Sequence, residues 1–294
     1  SLTNTITNNE LVLSAKCQRL NASGTVEGTC ESISQAAISD MTIAKKINIE
    51  AGITHKYTFT ILFKETNADQ NTNQGKKFNG VLGIEEYKAP NFATDSWSTI
   101  IANVKSGNIS DYNVGDTKTV DMGKYGTHTL RVANTSTPSE CSTTGFSQSA
   151  CGFVLEFADI ITTHKMNDTN TNVGGWPASS MYAFVNYVIY DALPEEIKGA
   201  IIDTTVVSGH GPADTENFTS TDRLYLLAPK EIYTDFNDTE DIAKDLTRTL
   251  DYYTNIGVTT SNYSGAIKKN GTSAAWWRLR SAISINDDDF FSVG

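Results

Sequence analysis

The sequence predicts an α+β protein that begins with an all-β sandwich and continues as a mixed α/β domain. Short segments rich in β-branched and aromatic residues recur at regular intervals in residues 1–88, which is typical of a β-sandwich. Apolar residues at helical spacing appear in residues 179–190 and 240–253. Pro90, in a small and polar stretch, indicates a linker at 89–95. We therefore expect domains at 1–88 and 96–294.

Four segments of the first domain are predicted strands. In residues 57–63, bulky apolar side chains occupy every second position, as expected for a strand with one buried face. Residues 11–15, 41–44 and 78–84 are further β-branched or aromatic segments. Their regular spacing favours two packed sheets.

The second domain mixes predicted strands and helices. Residues 117–120 and 128–132 are expected to pair as a hairpin across a glycine-containing turn. Residues 179–190 place their apolar side chains on one helical face, and Pro194 is a typical first residue of a further helix. Residues 222–227 predict a buried strand, and residues 240–253 predict a polar helix.

Charge and composition exclude several classes of function. The net charge of −11 argues against non-specific binding to nucleic acid and against adhesion to anionic lipid. No apolar run is long enough to span a bilayer, and the chain begins without a signal peptide. We expect a mature or trimmed form of a protein at an extracellular or cell-surface location, with no nucleic-acid partner and no direct membrane insertion.

The four cysteines form two local pairs, Cys17 with Cys30 and Cys141 with Cys151. Both pairs lie in polar, turn-rich stretches, and neither has the Cys-x-x-Cys spacing of zinc or redox sites. Two local disulfides formed in an oxidising compartment are the preferred interpretation, and four free thiols are the alternative.

Part of the first domain resembles a known family. The residues that carry the resemblance are 57–61, 69–71, 74–76, 78–80 and 81–84. They are similar to the closing half of the TasA/camelysin-type β-sandwich of bacterial surface and biofilm-fibre proteins. Camelysins were described as metalloproteases, but this chain has no His-Glu-x-x-His zinc signature, so that activity is not carried over.

The second domain resembles a bacterial surface-domain family that is labelled a domain of unknown function. Its members carry a Trp-Leu-Arg-Ser motif near their end, and the collinear matches are 97–101, 106–108, 112–118, 174–176, 179–181, 193–194, 222–228 and 276–281. The resemblance implies a C-type-lectin-like fold for residues 96–294. Two departures are the inserted Arg278 and Ala282 in place of proline. The family continues for a further strand, so we expect the lectin-like domain to be truncated at its C-terminal end.

The last twenty residues divide into a framework and a candidate working surface. The predicted framework, which would lock the backbone through large buried side chains, comprises Trp276, Trp277, Leu279, Arg280 and Ser281. The predicted ligand-binding residues, which mix carboxylates with aromatic side chains, are Ile283, Ser284, Ile285, Asn286, Asp287, Asp288, Asp289, Phe290 and Phe291. Phe290 and Phe291 would anchor a ligand and the aspartates would form a selective rim. The expected ligand is a protein or glycan at a cell or phage surface.

The same tail raises the hypothesis of a diversified site. Some C-type-lectin-like proteins are targets of diversity-generating retroelements, which cannot produce Lys, Glu, Gln, Met or Trp from asparagine codons. Residues 284–294 contain none of these five types. A fixed binding surface and a surface loop without a partner are the alternatives. A different class of function is a structural fibre or matrix subunit that assembles through the β-sandwich.

Catalysis and metal binding are not predicted. Asp287, Asp288 and Asp289 offer the hard oxygen ligands that calcium takes, but consecutive strand residues point to alternate sides. Calcium is kept only as an alternative, and no other cofactor is predicted. The sequence has no nucleophile elbow and no phosphate-binding loop. A formylglycine-generating-type enzyme remains the enzymatic alternative, because such enzymes share the lectin-like fold and use cysteines.

Overall fold

The computed structural model describes residues 2–7, 9–36, 42–45, 47–84, 88–236 and 246–294. The chain divides into two compact units, Ser1–Lys88 and Ala89–Gly294. Strands and helices both occur, which confirms the coarse α+β class. None of the helices in the described ranges combines the length and the apolar character needed to cross a bilayer.

The first unit is built from antiparallel strands. They are β1 (Leu2–Asn4), β2 (Leu11–Leu20), β3 (Val26–Thr29), β4 (Ile33–Ala36), β5 (Thr54–Phe63) and β6 (Phe78–Gly80). The long strand β2 is the centre of one sheet, because it pairs with β3, β4 and β5. β5 pairs with β2 over its whole length, whereas β3 and β4 each pair with a part of it. β1 and β6 form a separate two-stranded ladder.

Alternation along β2 explains why this sheet forms. Leu11, Leu13, Ala15 and Cys17 are all at most 9 % exposed and point to one face, against which Ile6 and Phe78 pack. The predicted strands at 11–15 and 57–63 are confirmed within β2 and β5. The buried face expected for 57–63 is wrong, because Phe59, Ile61 and Phe63 are 40–52 % exposed. The prediction at 78–84 is correct only for β6, and residues 42–44 form no strand. Residue 41 lies outside the described residues.

The disulfide predicted in the first unit is confirmed. Cys17 of β2 is bonded to Cys30, which follows β3, and their Cα atoms are 5.0 Å apart. The main-chain N–H of Cys30 also donates to the oxygen of Cys17 at 3.3 Å. The covalent link therefore reinforces the end of a strand pair.

The second unit combines short helices with small sheets. Its helices are α1 (Trp97–Lys105), α2 (Gly175–Ala178), α3 (Ser180–Ala183), α4 (Tyr190–Ala192), α5 (Glu195–Lys198), α6 (Pro229–Ile232) and α7 (Asp251–Asn255), with a π-helical stretch Phe184–Ile189 between α3 and α4. Its strands are β7 (Thr117–Asp121), β8 (Thr127–Asn134), β9 (Val154–Phe157), β10 (Thr204–Ser208), β11 (Phe218–Asp222), β12 (Lys268–Asn270), β13 (Ser273–Ala275), β14 (Trp277–Ala282) and β15 (Phe290–Val293).

Pairing in the second unit is local. β7, β8 and β9 form one antiparallel sheet, and β10–β11, β12–β13 and β14–β15 form three hairpin ladders. Three groups of buried apolar side chains hold these pieces together. The first contains Ile232, Leu250, Tyr253, Leu279 and Val293, the second contains Val120, Met122, Leu130, Ile189, Leu193 and Ile197, and the third contains Phe92, Ile100, Tyr112 and Val132.

Several element predictions for the second unit are confirmed. The hairpin of 117–120 with 128–132 is β7–β8. Residues 180–192 are helical throughout, and α5 follows Pro194. The second disulfide, Cys141–Cys151, is present with Cα atoms 6.0 Å apart.

Three predictions require correction or qualification. The predicted linker 89–95 packs as part of the second unit: Phe92 is 1 % exposed, and the carboxylate of Asp95 accepts from the Tyr112 hydroxyl at 2.9 Å. The predicted strand 222–227 is wrong beyond Asp222, where β11 ends. Of the predicted helix 240–253, residues 240–245 lie outside the described residues and 246–250 are not helical, because the helix begins at Asp251.

Candidate functional site

The predicted ligand-binding segment contains the loop between the last two strands. β14 and β15 are antiparallel, with Ala282 opposite Phe290. The main-chain N–H of Ile283 donates to the oxygen of Asp289 at 3.0 Å, which closes the loop directly beyond the strands. We call residues 283–289 the tip loop.

One buried side chain, that of Asn172, holds the tip loop. Asn172 is 0 % exposed. Its Nδ2 group donates to the main-chain oxygens of Ile283 at 3.2 Å, Asn286 at 2.6 Å and Asp289 at 2.9 Å. Its main-chain N–H donates to the oxygen of Asp287 at 2.8 Å. Because every acceptor is a main-chain oxygen, these bonds fix the path of the loop and leave its side chains unspecified.

The segment that carries Asn172 is itself anchored in the core. Gly175 adopts a φ of +58°, and a Cβ there would lie 2.5 Å from the Phe218 ring, so a larger residue would collide. The next residue, Trp176, is fully buried and donates its indole N–H to the Asp222 carboxylate at 2.7 Å. Burial raises the pKa of Asp222, and the Trp176 hydrogen bond opposes that rise.

Most polar side chains of the tip loop are engaged within the protein. The Asp288 carboxylate accepts from the Asn170 amide at 2.7 Å, and the main-chain N–H of Asp288 donates to the Asn286 side chain at 3.0 Å. Asp289 lies 3.8 Å from the Arg278 guanidinium. Ile285, 76 % exposed, and Asp287 point to solvent. The outward-facing part of the predicted surface is therefore centred on Ile285 and Asp287.

The two phenylalanines are not exposed anchors, and that part of the prediction is wrong. Phe290 is 2 % exposed, since β15 turns it into the interior of the second unit. Phe291 is half-buried against the first apolar group, and its ring meets that of Phe236 edge-on at 5.7 Å. Both rings stabilise the base of the hairpin instead of facing a ligand.

The framework of the site is centred on a buried ion pair. Arg280 and Glu231 are both 0 % exposed, and the guanidinium contacts the two carboxylate oxygens at 2.6 Å each. Arg280 also donates to the main-chain oxygens of Val207 at 3.1 Å and Leu226 at 2.9 Å. The charge-assisted bonds are bidentate, so they fix the orientation of β14 against α6 and β10.

Glu231 is satisfied by further donors. The Thr247 hydroxyl donates to it at 2.9 Å, the Ser149 hydroxyl also donates to it, and the main-chain N–H of Ala228 donates at 2.9 Å. A buried ion pair is stable only when its remaining hydrogen-bonding capacity is met, and this condition holds here. The pair therefore forms a rigid centre to which β14 is attached.

The other predicted framework residues divide into buried and exposed members. Leu279 and Ser281 are at most 1 % exposed, as a framework requires. Trp277 is half-buried and donates its indole N–H to the oxygen of Ala266 at 3.1 Å. Trp276 is 74 % exposed, so its assignment to the buried framework is wrong. It precedes β14, in which the buried residues begin at Leu279.

A second charged centre lies at the β7–β8–β9 sheet. Glu156 of β9 contacts Arg131 at 2.7 Å and Lys268 at 2.9 Å, and it accepts a hydrogen bond from the Tyr253 hydroxyl at 2.9 Å. Burial alone would raise the pKa of the Glu156 carboxyl, but Lys268 and Arg131 hold that pKa below its ordinary value. Glu156 is therefore a charged, structural group.

Metal-ligating side chains do not converge at the tip loop. Within the described residues, the one group of three His, Cys, Asp or Glu ligands with atoms inside 4.8 Å of one another is Cys17, Cys30 and His55. The two sulfurs of that group are joined in a disulfide. Asp288 and Asp289 are turned towards Asn170 and Arg278 respectively, so the arrangement offers no calcium cage.

The comparisons with known proteins cover the part of the chain that contains this site. Residues 153–294 match the sequence profile of a family described as a domain of unknown function, DUF6273. No curated protein and no solved structure matches the chain. The matched residues include Asn172, Glu231, Arg280 and the tip loop.

Proposed function

We propose that this protein is an exported bacterial surface protein that binds a protein or glycan ligand through its tip loop. The assignments of a β-sandwich to the first unit and of a C-type-lectin-like domain to the second are parts of the same proposal. The carrying observation is the buried Asn172 amide, which fixes the loop through main-chain oxygens alone. A loop held in this way presents its side chains without the entropy cost of ordering its main chain on binding.

The exposed chemistry of the site suits a mixed apolar and polar ligand. Ile285 is 76 % exposed on a loop whose path is fixed, and Val173, beside Asn172, is 51 % exposed. Removing such side chains from water favours association. Asp287 is exposed beside them and would select a cationic or hydroxyl-bearing group. The proposed contact therefore has an apolar centre and an acidic flank.

The proposed location outside the cell is supported by the cysteines. All four are paired in disulfides, and no free cysteine is present. Disulfides persist in oxidising compartments and are rare in the bacterial cytoplasm. The net charge of −11 also favours a soluble, hydrated surface.

Diversification of the tip loop by a retroelement is a further part of the proposal. We call the hydrogen bonds from Asn172 to the main-chain oxygens of the tip loop the Asn172 clamp. Substitutions at Ile285 and Asp287 would leave this clamp intact, and a diversified position needs that property. We expect the neighbouring DNA to contain a repeat of the coding tail that differs at adenines, beside a reverse transcriptase gene. Absence of such a repeat would remove this part and leave a fixed binding surface.

The binding proposal is tested by screening the whole protein against immobilised glycans and intact bacterial cells. Ile285→Asp combined with Asp287→Lys should weaken any specific binding at least about ten-fold, because it reverses the polarity of the surface. Tyr187→Asp, at a position 62 % exposed elsewhere in the second unit, is the matched control and should bind as the wild type does. Equal binding by wild type and double variant would exclude the tip loop as the recognition surface.

The structural-subunit alternative is favoured by one separate observation. β5 is ten residues long, pairs with β2 along one edge, and has no pairing partner along its other edge among the described residues. Four of its apolar residues, Phe59, Ile61, Leu62 and Phe63, are 40–57 % exposed. A long, apolar sheet edge is a template for adding a strand from another chain.

Concentration-dependent assembly distinguishes this alternative from the binding proposal. If β5 is an assembly edge, Ile61→Lys should shift the oligomer distribution in light scattering towards monomer, since a charged side chain opposes edge pairing. Ile49→Lys, at an equally exposed position outside the strand, should not change it. A wild-type protein that stays monomeric at all accessible concentrations would exclude assembly through β5.

A further inference from the structure

A cleft of about 850 Å³ opens within the second unit, away from the residues assigned to the tip loop. Its walls include members of all three buried apolar groups, for example Leu227 of the first, Leu193 of the second and Ile100 of the third. The cleft therefore lies where a continuous core would otherwise be expected. Its volume is within the range of roughly 300–1,000 Å³ that is typical of small-molecule sites.

The side chains around the cleft are apolar and incompletely buried. Leu155 and Phe157 of β9, Phe184 of the π-helical stretch and Leu224 all line it, and all are only half-buried although they pack on the second apolar group. Interior side chains in a filled core are closely packed on every side. An apolar occupant would remove these surfaces from water, which is the main source of affinity in such a site.

The charges around the cleft differ in sign from the charge of the whole chain. Four cationic side chains, Lys105, Arg223, Lys268 and Arg278, line it together with the three carboxylates of Glu156, Asp159 and Asp203. The chain as a whole carries −11. Glu156 is already neutralised by Arg131 and Lys268. The cleft is thus a locally cationic, apolar recess on an acidic protein.

Lys105 is the cation that is best placed to meet a ligand. It is the last residue of α1, whose Ile101 and Val104 also line the cleft. Its side chain is exposed, and the described residues provide it with no ion-pair partner. The other cations of the cleft are engaged: Lys268 with Glu156 at 2.9 Å, Arg223 with the Tyr190 ring at 4.7 Å, and Arg278 with the oxygen of Phe290 at 3.0 Å.

We propose that the cleft binds a long-chain aliphatic carboxylate, with the chain among the apolar walls and the carboxylate at Lys105. The ligand class follows from an apolar recess beside Lys105, the one lining cation that has no ion-pair partner among the described residues. The site is separate from the tip loop, so it stands whether or not that loop binds a ligand. The lining carries four cations against three carboxylates, so it favours an anionic head group more than the acidic chain as a whole does.

The test is displacement of the fluorescent fatty acid cis-parinarate from the whole protein by unlabelled amphiphiles below their micelle concentrations. Palmitate should displace it, and affinity should rise about four-fold for each methylene group added between octanoate and palmitate. Hexadecyltrimethylammonium, which has the same chain with a cationic head, should bind at least about five-fold more weakly than palmitate.

Two variants locate the site. Ala200→Trp places a large side chain in the cleft wall and should abolish palmitate binding, provided that near-ultraviolet circular dichroism shows a native fold. Lys105→Glu, at an exposed position that cannot disturb packing, should weaken palmitate about five-fold and leave hexadecanol unchanged. Lys124→Glu, an exposed lysine outside the cleft, is its matched control and should bind palmitate normally.

The contradicting results are equally specific. No displacement of parinarate by palmitate in the wild type would overturn the proposal. Equal affinity for palmitate and hexadecyltrimethylammonium, or palmitate binding that is unaffected by Lys105→Glu, would overturn the placement of the carboxylate at Lys105. Undiminished binding by a folded Ala200→Trp variant would move the ligand out of this cleft.

Discussion

Arg280 and Glu231 form a bidentate ion pair with both side chains completely buried, 49 residues apart in sequence. The pair links β14, which carries one end of the tip loop, to α6. Because further donors complete the hydrogen bonding of Glu231, the pair acts as a fixed point for the β14–β15 hairpin. The pair therefore anchors the strand from which the tip loop begins.

Removing one member of the pair should destabilise the second unit strongly. Arg280→Met leaves the Glu231 carboxylate buried without its cation, which costs about 3–5 kcal/mol. All four tryptophans lie in the second unit, so their fluorescence during urea unfolding reports on this unit. Arg278→Met, with a side chain 46 % exposed, is the control and should cost less than about 1 kcal/mol.

The double variant Arg280→Met with Glu231→Leu gives a further check of that prediction. Replacing both charges with apolar groups removes the unpaired ion, so part of the lost stability should return. A single Arg280→Met variant with the stability of the wild type would show that the ion pair does not hold the hairpin.

The stability of the second unit should fall on the acid side because of Glu156. Its pKa is lowered in the folded protein, so its stabilising effect is present above the ordinary value of 4.5 and is lost as the pH falls through the lowered value. Urea unfolding measured between about pH 6 and pH 3 should show this loss in the wild type.

Glu156→Gln should show a shallower acid limb, together with lower stability at neutral pH, because Arg131 and Lys268 are left buried without a counter-charge. Glu216→Gln, at an exposed carboxylate, is the control and should keep the wild-type pH profile. An unchanged acid limb in Glu156→Gln would show that other groups control the acid transition.

The disulfide between Cys141 and Cys151 should stabilise the second unit through the short loop that it closes. For a sequence separation of 10 residues, replacing both cysteines with serine should cost about 2–3 kcal/mol. Replacing Cys17 and Cys30 instead, in the other unit, should leave the tryptophan-detected transition unchanged. The opposite pattern would place the Cys141–Cys151 loop outside the cooperative unit.

The Asn172 clamp should control the mobility of the tip loop. Asn172→Ala removes the amide whose two N–H groups donate to three main-chain oxygens, and losing these bonds should cost about 1–3 kcal/mol. Amide hydrogen exchange in residues 283–289 should accelerate, whereas exchange in β7 and β8 should not. Asn170→Ala, which removes only the contact with Asp288, should have a much smaller effect. Equal exchange in wild type and Asn172→Ala would contradict the clamp.

Local pattern predicted much of the fold. Alternation predicted β5, turn residues predicted the β7–β8 hairpin, and Pro194 predicted the start of α5, because each signal lies within a few neighbouring residues. The local cysteine pairs predicted both disulfides. The prediction of a strand at 222–227 failed beyond Asp222. The apolar residues that follow pack on the apolar groups without forming a strand, and apolar content alone does not distinguish a strand from a buried coil.

The site was less accessible from sequence. The Phe290 and Phe291 prediction failed because their position after an acidic segment resembles an exposed surface, whereas Phe290 is buried and Phe291 is half-buried against the first apolar group. The Asn172 clamp acts across 111 residues to Ile283, and no local signal connects the two. The Gly-Gly-Trp sequence at 174–176, two residues after Asn172, was the one local signal that this segment is held in a fixed conformation.

The most direct test is a panel of substitutions at Ile285 and Asp287, measured for both thermal unfolding and binding to a ligand found in the glycan and cell screen. We expect every member to unfold within about 2 °C of the wild type, since surface changes alter stability by roughly 0.5 kcal/mol or less. Binding across the panel should vary more than about ten-fold. Unfolding temperatures that drop by several degrees, or binding that is the same for every member, would contradict a rigid tip loop with a variable recognition surface.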